Sequence, residues 1–130
     1  MRRSSNRPTD AELEILRVLW DNGPSTVREI HDILNQTKPT GYTTVLKLTQ
    51  IMADKSLVRR REIRNQRAHL YEASLPKEHT QQQIVGDLVG RVFNGSASEL
   101  VMRALSTKPA TPQELDDIRK LLDEHERGTR

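Results

Sequence analysis

Residues 40–73 read TGYTTVLKLTQIMADKSLVRRREIRNQRAHLYEA, and the fold turns on this stretch. Val45, Leu48, Thr49 and Met52 recur at helical spacing, while Thr43, Lys47, Gln50 and Asp54 fall on the opposite face. The pattern predicts a helix from about Tyr42 to Lys55 that buries one side and offers a short polar side with one lysine. Leu57, Val58 and Ile63 then open a strand-like run, Leu70 and Tyr71 belong to a second, and Arg64-Asn65-Gln66-Arg67 reads as the turn between them. From Lys55 to Arg67 there are six basic residues (55, 59, 60, 61, 64 and 67) against one acid, Glu62. A polar-faced helix followed by a basic hairpin suits a winged helix-turn-helix, with the helix in a major groove and the hairpin on the phosphate backbone.

The segment before it supplies the two remaining helices of such a domain. Thr9-Asp10-Ala11-Glu12 is a capping box, followed by Leu13, Leu16, Leu19 and Trp20 at helical spacing, with Ile15 and Val18 alongside. Gly23-Pro24 ends this helix, and Trp20 is expected as a core anchor. Thr26 and Glu29 make a second box, ahead of Val27, Ile30, Ile33 and Leu34. Pro39 and Gly41 break that helix, and Gly41 is expected to permit a tight turn and a close approach to the backbone. The winged-helix domain is thus placed at 9–75. The opening MRRSSNRP is basic with no apolar segment after it, so residues 1–8 are expected to be a flexible arm and not a secretory signal.

Pro76 marks a boundary, and the pattern changes to three helices with no sheet over 76–126, with a polar tail at 127–130. Ile84, Val85, Leu88, Val89, Val92 and Phe93 form a wide apolar stripe that ends at Asn94-Gly95. Ser96 with Glu99, and Thr111 with Glu114, are further capping boxes. The first precedes Leu100, Val101, Ala104 and Leu105, the second Leu115, Ile118, Leu121 and Leu122. Some fifty residues of helix bury too little surface to be comfortably stable alone. Two copies packed together would cover these stripes, so a homodimer is expected, in keeping with a two-fold protein on a two-fold operator. The other occupant of the stripes would be the first domain of the same chain.

Bulk composition agrees with a mainly α chain. Of 130 residues, 34% are hydrophobic and only 3% aromatic, so the core must be aliphatic. The net charge of +3 is unevenly placed: residues 1–75 carry 13 Lys/Arg against 9 Asp/Glu, and residues 76–130 carry 8 against 9. The absence of cysteine excludes a disulfide framework, a thiolate metal site and a cysteine nucleophile. No apolar run is long enough to span a bilayer, so membrane insertion is not expected and a cytoplasmic location fits. His31, His69, His79 and His125 are scattered without metal-ligand spacing, and no metal or cofactor is expected. No nucleophile elbow, P-loop, dinucleotide fingerprint or zinc-protease motif is present, and Asp116-Asp117 suits a solvated first helical turn, so the chain does not read as an enzyme.

The candidate groove contacts are Thr43, Thr44 and Lys47, then Tyr42 and Gln50, because hydroxyl, amide and ammonium groups can bond base edges or phosphates. Thr44 can alternatively cap or pack, and Gln50 can be merely solvated. Arg60, Arg61, Arg64 and Arg67 are the wing candidates, with Arg64 and Arg67 at the tip the most accessible. Successive strand residues alternate faces, so not all four can reach one duplex. Basic residues also protect an exposed edge strand, and a winged helix can serve as a protein-interaction module without specific DNA binding.

Three pieces in this order carry a family resemblance over roughly residues 8–125. They are Thr9-Asp10-Ala11-Glu12-Leu13-Glu14-Ile15-Leu16 with Leu19-Trp20, Tyr42-Thr43-Thr44-Val45 with Leu48, and Lys55-Ser56-Leu57-Val58-Arg59-Arg60, with Tyr71 closing the wing. The chain resembles the penicillinase-repressor family of bacterial transcription regulators. The resemblance implies a homodimeric repressor whose winged helix binds double-stranded operator DNA and whose C-terminal helices dimerise. It also implies release when a membrane sensor metalloprotease, or a protease downstream of it, triggers cleavage in the C-terminal region. The family's cut bond would fall near Arg103-Ala104, where the Asn-Phe pair cleaved in the best-known members is absent. The copper-responsive branch relies on a C-terminal cysteine cluster that this sequence lacks.

Overall fold

The computed structural model describes residues 7–128. The element order is α1 (Asp10–Asn22), α2 (Val27–Thr37), α3 (Tyr42–Asp54), β1 (Val58–Glu62), β2 (His69–Ala73), α4 (Lys77–Arg91), α5 (Ala97–Thr107) and α6 (Pro112–Gly128). This is a mainly helical chain: three helices and a two-stranded wing, then a helical C-terminal region. It divides into two compact units at Ile84/Val85, inside α4. The first six residues of the expected basic arm lie outside the described residues.

Local chemistry sets the helix starts. The Thr9 hydroxyl accepts from the Glu12 N–H at 3.2 Å, and the Glu12 carboxylate accepts from the Thr9 N–H at 2.9 Å. Thr26 and Glu29 repeat the arrangement at 3.1 and 2.9 Å. Each such cap is worth about 1 kcal/mol, because it satisfies donors that the helix leaves without partners. At the end of α1, Gly23 adopts φ +81°, where a side chain would be strained, and its N–H donates to the Leu19 carbonyl at 2.8 Å. Gly41 behaves otherwise. With φ −75° and ψ 143° it is ordinary extended backbone, and an added Cβ would meet only the Thr44 hydroxyl at 3.7 Å. No positive φ requires glycine there, so the turn does not depend on it in the way expected from sequence. The α2–α3 turn is held instead by Asn35, whose side-chain oxygen accepts from the Thr40 N–H at 2.9 Å.

The core of the first unit is aliphatic: Ile15, Leu16, Val18 and Leu19 from α1, Val27 and Ile30 from α2, Val45 and Met52 from α3, and Val58 and Tyr71 from the wing. Thr49 is also fully buried, its hydroxyl satisfied by donation to the Leu46 carbonyl at 2.8 Å. Trp20 packs against this core from its rim rather than inside it. Its indole N–H donates to the Leu75 carbonyl at 3.2 Å, tying α1 to the segment that follows the wing.

The wing is an antiparallel pair in which Arg60 faces Tyr71 and Arg61 faces Leu70. Ile63 lies beyond β1, in the connecting loop. Tyr71 and Ser25 exchange backbone hydrogen bonds at 2.8 and 3.0 Å, so β2 is also joined to the chain entering α2. At the α3–wing junction Ser56 takes φ +65°, and the Leu57 N–H donates back to the Met52 carbonyl at 2.9 Å. That left-handed residue turns the chain out of α3 and into β1.

Lys55 precedes this turn and does not belong to the wing's surface charge. Its ammonium lies 2.7 Å from the Glu12 carboxylate, and it also donates to the Arg7 carbonyl at 3.2 Å. The side chains of Glu12 and Lys55 are only 3% and 19% exposed, so the pair is shielded from solvent.

In the C-terminal region α4 ends at Arg91, and Asn94 and Gly95 make the turn at φ +51° and +86°. The Gly95 N–H donates to the Val89 carbonyl at 2.8 Å. The Thr111–Glu114 box closes in both directions, whereas Ser96 accepts from the Glu99 N–H while its hydroxyl lies 3.2 Å from that of Ser98. Helix α6 runs on to Gly128, with Arg127 in its last turn, where a cation complements the helix dipole. Among the described residues nothing after Thr80 is buried, and none of the helices is long and apolar enough to cross a membrane.

Removing one partner of a shielded ion pair leaves the other charge uncompensated. Lys55→Met is therefore expected to destabilise the protein by about 3 kcal/mol, read from urea unfolding at fixed protomer concentration. Glu12→Gln with Lys55→Met together should cost less than the sum of the two single changes. An unchanged midpoint for Lys55→Met would show that the pair does not hold the junction.

Candidate nucleic-acid interface

Helix α3 presents Thr43, Thr44, Lys47 and Gln50 to solvent, opposite the buried Val45, Thr49 and Met52. Tyr42 at its first position is 39% exposed. All five groove candidates are therefore accessible, four of them with a side-chain donor or acceptor and no partner among the described residues. Gly41 provides no side-chain cap, so the first N–H groups of α3 also remain open to an outside acceptor. Lys47 makes no ion pair among the described residues.

The six cations of the basic run divide into two sets. Lys55 is committed to Glu12. Arg59 and Arg61 lie on one face of the hairpin and share Glu72 across the strands, at 3.3 and 3.4 Å. Arg60 is on the other face, with its register partner Tyr71. Arg60, Arg64 and Arg67 are exposed and have no acid partner among the described residues. Arg61 is thus the one wing candidate whose charge is already engaged, although an exposed pair of this kind contributes only about 0–1 kcal/mol and can be exchanged. Arg64 begins the loop after Ile63, whose carbonyl accepts from the Gln66 N–H at 3.1 Å, and Asn65 at φ +63° turns the chain. Arg67 follows on the return.

Helix and wing meet at a cleft of about 250 Å³ lined by Thr26, Arg28, Tyr42, Leu46, Arg67, His69 and Tyr71, among others. Arg28 is the member that sequence reading passed over. Its guanidinium carbon sits 4.9 Å from the centroid of the Tyr42 ring, and the His31 ring meets Tyr42 edge-on at 5.8 Å. Arg28 and His31 lie three apart on α2, which places them side by side. Their convergence on Tyr42 is a tertiary contact with no local sequence signal. No cluster of His, Cys, Asp or Glu among the described residues could hold a metal ion.

The surface offers hydroxyl, amide and ammonium groups on a helix face, and wing arginines without an acid partner among the described residues, of which Arg67 shares a cleft with Tyr42. Such a surface can take base edges along the helix and phosphates along the wing.

The apolar residues predicted for self-association sit as follows. Ile84 lines a groove of the first unit with Leu13 and Trp20. In the second unit Val89, Phe93, Leu100, Leu105, Leu115 and Ile118 are half-buried, while Val85, Leu88, Val92, Val101, Leu121 and Leu122 are exposed. Met102, not singled out in the sequence, is exposed with them.

The chain matches the penicillinase repressor family over residues 8–124. It is 31% identical to the transcriptional regulator BlaI of Mycobacterium tuberculosis over 122 residues, which is 92% of this chain and 85% of the relative. It is 20% identical to the penicillinase repressor of Bacillus licheniformis over 117 residues, 90% of each chain.

The Glu72 contacts make a direct prediction. Glu72→Gln frees Arg59 and Arg61, so binding to a duplex of arbitrary sequence is expected to tighten by about two- to five-fold at low salt, with a steeper salt dependence. Fluorescence anisotropy across a salt series reads both. An unchanged salt slope would mean that this face of the wing stays away from phosphate.

Proposed function

This chain belongs to the penicillinase repressor family of transcriptional repressors, and from that premise we propose that it occupies a two-fold operator as a homodimer and so blocks a promoter. In this reading α3 lies in the major groove, with Thr43, Thr44, Lys47, Tyr42 and Gln50 toward base edges. Arg64 and Arg67 at the tip rest on phosphates with Arg60, and Arg61, on the opposite face, adds its charge to the surrounding field when it leaves Glu72. The observation that carries the reading is the division of charge on the wing. Three wing arginines have no acid partner among the described residues, while the neighbouring cations are neutralised within the protein. Contacts to phosphate give affinity and salt dependence, and contacts along α3 give sequence choice.

The self-association reading is supported by the exposed apolar residues of the second unit, of which Val92, Leu121 and Leu122 are 62%, 53% and 59% exposed. Apolar side chains at such exposure favour a protein partner, and a second copy supplies the same residues in return. Release follows from weakening that association by cleavage in the C-terminal region, with a membrane sensor metalloprotease or a protease downstream of it as the trigger. Arg103-Ala104 lies within α5, exposed on both residues. A protease needs extended backbone, so cleavage there requires α5 to unwind locally. That opening is inexpensive in a helix of 11 residues with none buried.

Footprinting on the DNA upstream of the protein's own gene, at several salt concentrations, tests the operator assignment. A two-fold protected site is expected. Lys47→Ala should weaken it by about ten-fold with little change on arbitrary duplex, as for loss of a base contact worth 1–3 kcal/mol. Arg64→Ala should instead weaken both duplexes alike and lower the salt slope by about one. Full operator affinity in Lys47→Ala and Thr43→Ala would sink the recognition-helix assignment, and wild-type binding without sequence preference would favour a protein-interaction module.

Val92→Asp with Leu121→Asp is expected to turn a concentration-independent dimer into monomer by sedimentation equilibrium, leaving the helical content of the first unit intact. A dimer that persists would place the self-association surface elsewhere.

A further inference from the structure

Tyr42 differs from the other groove candidates in being held. Thr43, Thr44, Lys47 and Gln50 have no side-chain partner among the described residues that fixes them, whereas the Tyr42 ring is contacted from α2 by two side chains. The Arg28 guanidinium lies over its face at 4.9 Å and the His31 ring meets it edge-on at 5.8 Å. His31 is half-buried, and its Nδ1 lies 3.1 Å from the Asp32 carboxylate, which limits the turning of the imidazole. Arg28 is exposed and has no acid partner among the described residues, so its interaction with the ring is not diverted to a carboxylate. The stack also faces the side of the domain that carries the wing tip, because Arg28, Tyr42, Arg67 and His69 line one cleft.

We propose that Arg28 is a positioning residue for sequence recognition: by stacking on Tyr42 it fixes the orientation of that side chain at the entrance of α3, and it thereby sets the contribution of Tyr42 to operator choice. The inference rests on the reading of α3 as the groove helix. A free tyrosine on a helix N-terminus samples several rotamers, and ordering it on contact with DNA costs affinity for the right sequence. A side chain ordered beforehand avoids that cost, and it discriminates more sharply because it cannot swing to suit a wrong base. An exposed cation–π contact is worth enough to bias the rotamer about two- to five-fold, which bounds the effect. A second cation within reach of phosphate would behave differently, since it would strengthen every duplex alike.

The test uses the full-length protein and duplexes enriched from a random library by the wild type, with a scrambled duplex of equal composition as reference. Arg28→Met is expected to lower the ratio of selected to scrambled affinity by about two- to five-fold, with the salt slope on scrambled duplex unchanged. Arg28→Lys, which keeps a cation over the ring, should recover part of the ratio. In a Tyr42→Ala background Arg28→Met should have no further effect on the ratio. Equal weakening on both duplexes, with a slope lower by about one, would overturn the proposal and make Arg28 a phosphate contact. Additive effects of Arg28→Met and Tyr42→Ala would overturn it as well. If the wild type enriches no sequence, the operator reading itself fails and this inference falls with it, a result distinct from enrichment that survives unchanged in Arg28→Met. Circular dichroism and the unfolding midpoint of each variant separate these outcomes from a loss of fold.

Discussion

The carboxylate of Glu12 is buried and has two partners. It caps α1 by accepting from the Thr9 N–H, it faces the Lys55 ammonium at 2.7 Å, and through Lys55 it is linked to the Arg7 carbonyl. The start of α1 is thereby fixed against the residue that closes α3. Immediately afterwards Ser56 turns at positive φ and β1 begins, so any slack at Lys55 would be passed to the hairpin as a change of direction. The other end of the wing is held separately, by the exchange of backbone hydrogen bonds between Tyr71 and Ser25. Two anchors on opposite strands determine where the arginines beyond them are carried. A surface that must match a helix face and a hairpin tip to one rigid duplex depends on such a fixed relation.

Once the wing is fixed, its charge is sorted by strand register. The pairing of Arg61 with Leu70 and of Arg59 with Glu72 puts two arginines on the Glu72 face and leaves Arg60 on the Tyr71 face. A one-residue slip would exchange these roles, because adjacent strand residues point to opposite sides. The result is a graded surface. Arg64 and Arg67 have no competing acid among the described residues, and Arg59 and Arg61 can reach phosphate only by leaving Glu72. Such an exchange costs little at a solvated site, so the acid acts as a weak competitor rather than a lock.

The sequence shows clearly whatever is decided within a few residues. Thr9, Thr26 and Thr111 cap their helices with an acid three places on, and the buried face of α3 follows from the spacing of Val45, Thr49 and Met52. The hairpin is equally visible, because its basic run and flanking apolar residues are local. What escapes is tertiary. Lys55 looks like wing charge until Glu12, 43 positions away, is seen beside it. The sorting of Arg59, Arg60 and Arg61 needs a register, and the loop joins the strands through residues 63–68, longer than the four-residue turn read from sequence, so the register could not be counted out. Arg28 was missed because its partner Tyr42 belongs to the next helix. Gly41 misled for a different reason: glycine signals positive φ only as a tendency, and here the turn is closed by the Asn35 side chain.

The second unit poses an energetic question that the first does not. Its helices are well capped, yet none of its described residues is buried, and capping alone does not hold short helices together in water. Packing from outside the unit would stabilise them further, and in the proposed dimer it comes from a second copy. In the proposed dimer the same association would serve recognition. One winged helix offers a single helix face and a wing, while two joined copies make the second half-site encounter intramolecular, which can raise overall affinity by about 10²–10⁴ without any new contact. Stability of the second unit and occupancy of the operator then rest on one apolar interface. An event that opens this interface, whether cleavage in α5 or another signal, needs to change nothing on α3 or the wing: it removes the avidity, and each remaining half-site contact is left to compete with salt alone.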